Sequence, residues 1–189
     1  FLGGQFAKVL GGMAFSLIYF YYYQGGDTLM YFYSAVSMSH LAMADPSAYF
    51  RVLFGPADYA HLALFSNVAG QPYGYMYFDP PAFMVNRLIS PLVILSLNSY
   101  VITTILLSGI CYIGIWRCYQ TFVGYFPSLT NKLAIAFLYM PSVVFWGSGV
   151  MKDTFTISAT CWWVHCFDEL FFKKRNHLSN LLGLAVAGF

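Results

Sequence analysis

The sequence predicts an all-α polytopic membrane protein, built from transmembrane helices and from amphipathic interfacial helices in a long first outer loop. Of its 189 residues, 59% are hydrophobic and 8% are charged, whereas a soluble domain carries about 25% charged residues. Aromatic residues make up 21%, which is typical of proteins that meet a bilayer and its headgroup regions. This composition argues against a soluble enzyme and a disordered chain, and the net charge of +2 against a nucleic-acid partner.

Four apolar segments are predicted to cross the membrane, and a fifth is incomplete. The last segment, which begins near Leu178, has 12 residues, whereas a transmembrane helix needs about 20. The sequence also begins without a methionine. We therefore expect residues 1–189 to form a single N-terminal transmembrane region of a longer chain. The predicted spans cover residues 6–23, 100–116, 132–148 (with Pro141 inside) and 154–172, with a short polar turn at 122–131.

Residues 24–98 are predicted to form the outer loop, and residues 99–189 the following transmembrane helices. The loop contains charges and prolines that leave no window long and uncharged enough to span. Helical spacing of apolar residues over 28–44 predicts an amphipathic helix on the membrane surface, ended by Asp45-Pro46. Residues 71–81 are rich in Tyr, Gly and Pro, which predicts a loop. Residues 82–97 are apolar except for Asn86 and Arg87, which favours an interfacial or re-entrant helix.

The placement of basic residues predicts the orientation. With the N-terminus in the cytoplasm, Lys8, Arg117, Lys132 and the Lys173-Lys174-Arg175 cluster lie inside, as the positive-inside rule requires. The loop at 24–98 and the turn at 152–153 then lie outside. A crossing by residues 82–97 would place the basic cluster outside, and this alternative stays open.

The cysteines and histidines show no metal-binding pattern. Cys111, Cys118, Cys161 and Cys166 lie in apolar stretches without a Cys-x-x-Cys pair, so we expect free thiols buried as small hydrophobic groups. His165 lies within a predicted span. A lone histidine there is more often hydrogen-bonded to a neighbouring helix than a haem ligand. Asp168 and Glu169 lie beside Lys173 and are expected to form local ion pairs.

The first candidate site is the stretch Gln24-Gly25-Gly26-Asp27-Thr28, directly after the first span. The two glycines allow a sharp turn of the backbone, which places Asp27 at the membrane edge. Asp27 can serve as a catalytic base or metal ligand, or it can simply cap the helix that begins near Thr28.

The second candidate site is the turn FWGSGVMKDT at residues 145–154. Lys152 can bind a phosphate as a point charge, and Asp153 can ligate a divalent cation or neutralise Lys152. The structural alternative is a plain connecting turn with Asp153 as an N-cap. A third candidate is the loop with Tyr73, Tyr75, Tyr77 and Asp79, whose aromatic rings can stack on sugars or headgroups or can anchor the loop at the interface.

This arrangement resembles the GT-C superfamily of membrane glycosyltransferases. The resemblance rests on Asp27 in GGDTLMYF at the outer end of the first span, on the long outer loop, and on Asp153 in MKDT in the next outer loop. PSVVFWGSGVMKDT also resembles uncharacterised bacterial membrane proteins related to this superfamily. Such enzymes transfer a sugar from a polyprenyl-phosphate donor on the non-cytoplasmic side. The familiar pair of acidic residues is absent, because Gly26 precedes Asp27.

The resemblance implies a reaction and a location in the bacterial inner membrane. Asp27 would deprotonate or orient the acceptor hydroxyl, Lys152 and Arg51 would hold the leaving phosphate, and Asp153 would orient Lys152 or bind a divalent cation. Tyr73 and Tyr75 would contact the substrate. The expected partners are membrane lipids, a polyprenyl-phosphate-linked sugar and further membrane subunits. Two alternatives stay open: a non-catalytic subunit of a secretion or envelope-biogenesis assembly, and a transporter, in which intramembrane charges mark the path.

Overall fold

The computed structural model describes residues 1–65, 69–174 and 178–187, and all regular secondary structure in these ranges is helical. The predicted all-α class is therefore confirmed for the described residues. The α-helices are α1 (Leu2–Leu17), α2 (Asp27–Ala44), α3 (Pro46–Phe54), α4 (Tyr59–Leu62), α5 (Gly74–Tyr77), α6 (Pro80–Leu95), α7 (Tyr100–Tyr125), α8 (Thr130–Ala134), α9 (Pro141–Val144), α10 (Lys152–Phe167) and α11 (Leu178–Ala187). π-Helical turns follow α1, α8 and α10 at Ile18–Tyr23, Ile135–Tyr139 and Asp168–Phe172, and 3₁₀ turns lie at Pro127–Leu129 and Trp146–Ser148.

In the described ranges, one helix is long and apolar enough to cross a membrane by length and composition. This helix is α7, Tyr100–Tyr125; a second span is present if the bent pair Pro127–Tyr139 and Pro141–Ser148 counts as one. A buried core helix of a soluble protein meets the same criterion. The structure thus contains one candidate span, or two, where the sequence predicted four.

The segment predicted to span at residues 132–148 is a broken helix. The helix is interrupted at Met140, which is extended at φ −62° and ψ 129°, and its two parts meet at 42°. Pro141 explains the break, because proline lacks an N–H donor and disfavours the helical conformation of the residue before it. The predicted turn at 122–131 is also too long, because α7 continues to Tyr125.

The chain divides into two compact units. Unit 1 comprises Phe1–Phe15, Ser108–Gly149 and Asp153–Phe189, and unit 2 comprises Ser16–Leu107 and Val150–Lys152. Each unit has its own core, and each is described separately below.

In unit 2, α2 is a core helix rather than the predicted amphipathic surface helix. Between Thr28 and Leu41, only Tyr33 and His40 are exposed. The pattern predicted a surface helix because small polar residues usually face solvent, whereas α2 buries several of them. Ser34, for example, is fully buried and accepts a hydrogen bond from the Tyr73 backbone N–H at 3.1 Å.

In unit 2, α3 and α6 pack against α2, α4 packs against α3 and α5 against α6. α6, the apolar helix predicted at 82–97, packs against α2, and its Ser90 is hydrogen-bonded to the Tyr49 hydroxyl of α3 at 3.0 Å. Asp45 ends α2 as predicted, and its carboxylate accepts from the N–H groups of Ser47 and Ala48 at 2.9 and 3.1 Å. The core consists of Met38, Leu41, Ala48, Tyr49, Val52, Phe65, Ala69, Tyr77 and Phe83.

In unit 1, glycines bring helices into close contact. A Cβ atom added at Gly11 of α1 would lie 2.0 Å from the Val144 carbonyl oxygen. One added at Gly114 of α7 would lie 2.3 Å from the Ser158 carbonyl oxygen of α10. Backbones that approach this closely through small residues are typical of helix packing in membranes.

Polar contacts also join the helices of unit 1. His165 is hydrogen-bonded to Thr121 of α7 at 2.8 Å, which confirms the predicted interhelical role. Lys173 lies 2.8 Å from both Asp168 and Glu169, which confirms the local ion pairs. Arg175, the third residue of the basic cluster, lies outside the described residues. All four cysteines are free thiols as expected; three are buried and Cys161 is half-buried.

We expect Gly114→Ala to lower the free energy of unfolding by about 2 kcal/mol, because overpacking against a backbone carbonyl forces the helices apart. Gly124→Ala is the matched control on the same helix, since no atom lies within 4 Å of a Cβ there; removing this glycine should stabilise the helix by up to about 1 kcal/mol. Thermal unfolding of both variants in detergent measures the difference. Equal stability of the two variants would contradict the close packing of α7 and α10.

Candidate functional site

The candidate site in unit 2 begins at the turn between the π-helical end of the first segment and α2. Gln24 and Gly26 both have positive φ angles, 49° and 98°, which confirms the predicted sharp turn. The helix begins at Asp27, and its N-cap is Gly26. The interpretation of Asp27 as the N-cap is therefore wrong. Asp27 is an exposed residue of the first helical turn, where the helix dipole stabilises its negative charge.

A cavity of about 260 Å³ lies beside this turn. Gly25 and Leu29, which flank Asp27 in sequence, both line it. Aromatic rings and one amide side chain supply most of the remaining wall. These further lining residues are Phe20, Gln24, Met30, Tyr33 and Tyr73.

The structure brings together three of the six predicted site residues: Asp27, Tyr73 and Tyr75. The rings of Tyr73 and Tyr75 lie 6.3 Å apart between centroids, and the Tyr75 hydroxyl donates to the sulfur of Met30. Partial desolvation raises the pKa of Tyr75, and the nearby charge of Asp27 raises it further. The carboxylate and two phenols thus belong to one surface. The π-helical turn Ile18–Tyr23 lies next to this surface. Its sequence did not predict a π-helix, although such turns often mark functional sites.

The other three predicted residues occupy different positions. Arg51 is exposed on α3, and its charge acts on Asp45, whose pKa is held low mainly by hydrogen bonds from Ser47 and Ala48. Lys152 and Asp153 are exposed in the first turn of α10. This helix begins two residues earlier than predicted, so Asp153 lies within it.

In unit 1, a buried polar network surrounds Lys8, a residue predicted to lie on the cytoplasmic side. Lys8 is 1% exposed. Its ammonium group donates to the carbonyl oxygens of Val143 and Gly147 at 3.2 and 2.5 Å and to the Ser148 hydroxyl at 3.2 Å. Lys8 is therefore an internal cation at the end of the broken helix, and it carries no information on orientation. The sequence did contain an indication of this buried cation, because a single lysine within an apolar segment usually faces the protein interior.

Among the residues that the structure describes, no three His, Cys, Asp or Glu side chains converge to hold a metal ion. The exposed carboxylate of Asp27 alone offers too few ligands for a protein-built divalent site, because such cations take six or more oxygen ligands.

Comparison with known proteins identified no relative. No family model, curated protein sequence or solved structure matches the chain. Its function is therefore inferred from the geometry of the site.

Proposed function

We propose that this chain is an integral membrane protein with several spanning helices. Unit 1 supports the proposal because it buries many polar side chains beside its apolar core and exposes large apolar side chains on its surface. Lys8, Ser108, Thr121, Ser148, Thr154 and Ser158 are buried. Large apolar side chains are exposed along α1 and α7, at Leu2, Phe6, Leu10, Met13, Ile110 and Ile113. Water disfavours such a surface, whereas lipid tails do not.

We further propose that it acts as a membrane glycosyltransferase that uses a lipid-phosphate-linked sugar. The observation that carries this proposal is the exposed carboxylate of Asp27 beside an aromatic cavity, without a role as a helix cap. A carboxylate in that position can accept a proton, and aromatic faces can stack on a sugar ring.

The proposed reaction is a displacement at the anomeric carbon. Asp27 takes the proton of the acceptor hydroxyl while the acceptor oxygen forms a bond to that carbon. The bond between the anomeric carbon and the phosphate oxygen breaks, and the phosphate leaves with the electron pair. Lys152 is the cation proposed to neutralise the leaving phosphate. Arg51 lies near Asp45, at the end of α2 opposite Asp27, and has no part in this step.

The test is a transfer assay with the full-length protein in nanodiscs. A panel of polyprenyl-phosphate sugars, each labelled in the sugar, is offered together with membrane-extracted acceptors, and labelled products are separated by chromatography. Transfer from one or more donors supports the proposal, and hydrolysis or retention of every donor contradicts it. A cross-link between Asp27→Cys and Lys152→Cys by a short bifunctional maleimide would show independently whether these two side chains approach each other.

A transporter is the second candidate, and the Lys8 network favours it. Broken helices whose ends present backbone carbonyls to a cation are a feature of secondary transporters. Here the Lys8 ammonium binds the carbonyls of Val143 and Gly147, in the segment Pro141–Ser148 that follows the break. In proteoliposomes, a transporter would accumulate solute and lose flux in Lys8→Met, whereas a transferase would turn over donor without a gradient.

A further inference from the structure

The cavity beside Asp27 presents aromatic side chains that a ligand can reach. Phe20, Tyr33 and Tyr73, which all line it, are 40%, 45% and 42% exposed. Its volume of about 260 Å³ is smaller than that of most sites for drug-sized ligands, which measure about 300–1,000 Å³. The cavity therefore suits a small ligand or the headgroup of a larger one.

The carboxylate of Asp27 gives this surface a negative charge. Asp27 is exposed and lies between the lining residues Gly25 and Leu29 in the sequence, and none of the described residues that line the cavity is basic. The face of an aromatic ring also attracts a cation. A cationic ligand therefore gains from the rings and from the sign of the nearby charge, whereas a neutral ligand gains from the rings alone. Because water screens the exposed charge of Asp27, that charge favours a cation without adding much to its affinity.

Gln24 supplies a hydrogen-bond acceptor in the wall of the cavity. Its backbone is left-handed, with φ of 49°, a conformation that glycine adopts without strain and glutamine does not. Its Nε2 donates to the Tyr21 carbonyl at 3.4 Å, whereas its Oε1 accepts no hydrogen bond from the described residues. The side chain is exposed, so a ligand can reach this oxygen. A strained residue beside a cavity indicates a role for its side chain.

The amide oxygen of Gln24 narrows the class of cation. A primary ammonium group can donate one N–H to Gln24 Oε1 while its charge lies against the aromatic rings. A quaternary ammonium group has no N–H and would gain from the rings alone. The wall therefore favours a primary ammonium group.

We propose that the cavity beside Asp27 binds the primary ammonium group of an amino alcohol, held by the exposed aromatic rings of the wall and by an N–H donated to Gln24 Oε1. The binding itself is independent of any reaction. The inference rests on the proposed function in one respect, since it names the acceptor of the transfer as this amino alcohol, whose hydroxyl group Asp27 deprotonates. The amino alcohol is either free in solution or the headgroup of a lipid.

Saturation-transfer NMR titrations of the full-length protein in an uncharged polyoxyethylene detergent test the proposal. Ethanolamine is the probe, ethylene glycol is its uncharged counterpart and choline is its quaternary counterpart. Ethanolamine should bind about three- to fivefold more tightly than each of the other two, because ethylene glycol lacks the charge and choline lacks the N–H donor.

Substitutions in the wall locate the bound probe. Tyr33→Leu removes an aromatic face and should weaken ethanolamine binding about three- to fivefold, whereas Tyr33→Phe keeps the ring and should retain it. Gln24→Gly relieves the left-handed backbone, so it should fold, and it should abolish the preference for ethanolamine over choline. Phe54→Leu is the matched control, because Phe54 is an exposed ring of unit 2 that does not line the cavity.

A second arm distinguishes the two sources of the amino alcohol. Phosphatidylethanolamine or phosphatidylglycerol is added to the micelles before the titration, and the second lipid, which lacks an ammonium group, is the control. Competition by phosphatidylethanolamine alone assigns the site to a lipid headgroup. Unchanged ethanolamine binding in both lipids assigns it to a free amino alcohol.

The outcomes separate this proposal from the transfer reaction. Ethanolamine binding that Tyr33→Leu weakens and Phe54→Leu retains supports the ammonium site, whether or not transfer is detected. No binding of ethanolamine, equal or tighter binding of ethylene glycol or choline, or equal binding in Tyr33→Leu and Phe54→Leu would overturn it. Transfer of sugar to a neutral acceptor without ethanolamine binding would overturn the ammonium site and leave the glycosyltransferase proposal standing.

Discussion

Replacement of Asp27 by asparagine should lower the rate of sugar transfer by about 10²–10⁴-fold, the usual contribution of a general base. Asparagine has the shape of aspartate but cannot accept the proton of the acceptor hydroxyl. The effect should appear in kcat rather than in KM, because the proton moves only in the transition state. The measurement is steady-state transfer by the full-length protein with a donor that the assay above identifies.

Asp45→Asn is the matched control for this variant. Asp45 is an exposed carboxylate at the other end of α2, and asparagine caps a helix about as well as aspartate. Asp45→Asn should therefore retain both fold and transfer rate. Full activity in Asp27→Asn, or an equal loss in both variants, would remove Asp27 from the chemistry.

Replacement of Lys8 by methionine should lower the free energy of unfolding by about 2–3 kcal/mol. Methionine fills a similar volume but donates no hydrogen bond, so the Val143 and Gly147 carbonyls lose their cationic donor. A buried acceptor left without a partner costs about 1–3 kcal/mol. Relief of the buried charge offsets part of this loss. Unfolding in mixed micelles, titrated with a denaturing detergent, measures the change.

Lys132→Met provides the control, because Lys132 is exposed on α8. A surface substitution of this kind should change the stability by no more than about 0.5 kcal/mol. A stability of Lys8→Met equal to that of Lys132→Met would show that the ammonium group does not stabilise the packing of α1 against residues 143–148.

The candidate site was only partly predictable. Asp27 could be found because a carboxylate after Gly25-Gly26 at the end of an apolar segment is conspicuous in the sequence. The proximity of Asp27 to Tyr75 could not be predicted, because more than forty residues separate them in the sequence. The packing of α2 brings them together.

Composition and local chemistry by themselves determined the all-helical class and several helix ends. Asp45-Pro46 ends α2 because a capping carboxylate and a proline act within a few residues. The tertiary structure alone decided which helices form a core. Ser34 of α2 reads as a surface residue but is buried, with a hydrogen bond from the distant Tyr73 backbone N–H. Lys8 reads as a cytoplasmic charge but lies inside unit 1. In each case a polar group is buried because its partners come from far along the chain, and a single sequence does not reveal which partners those are.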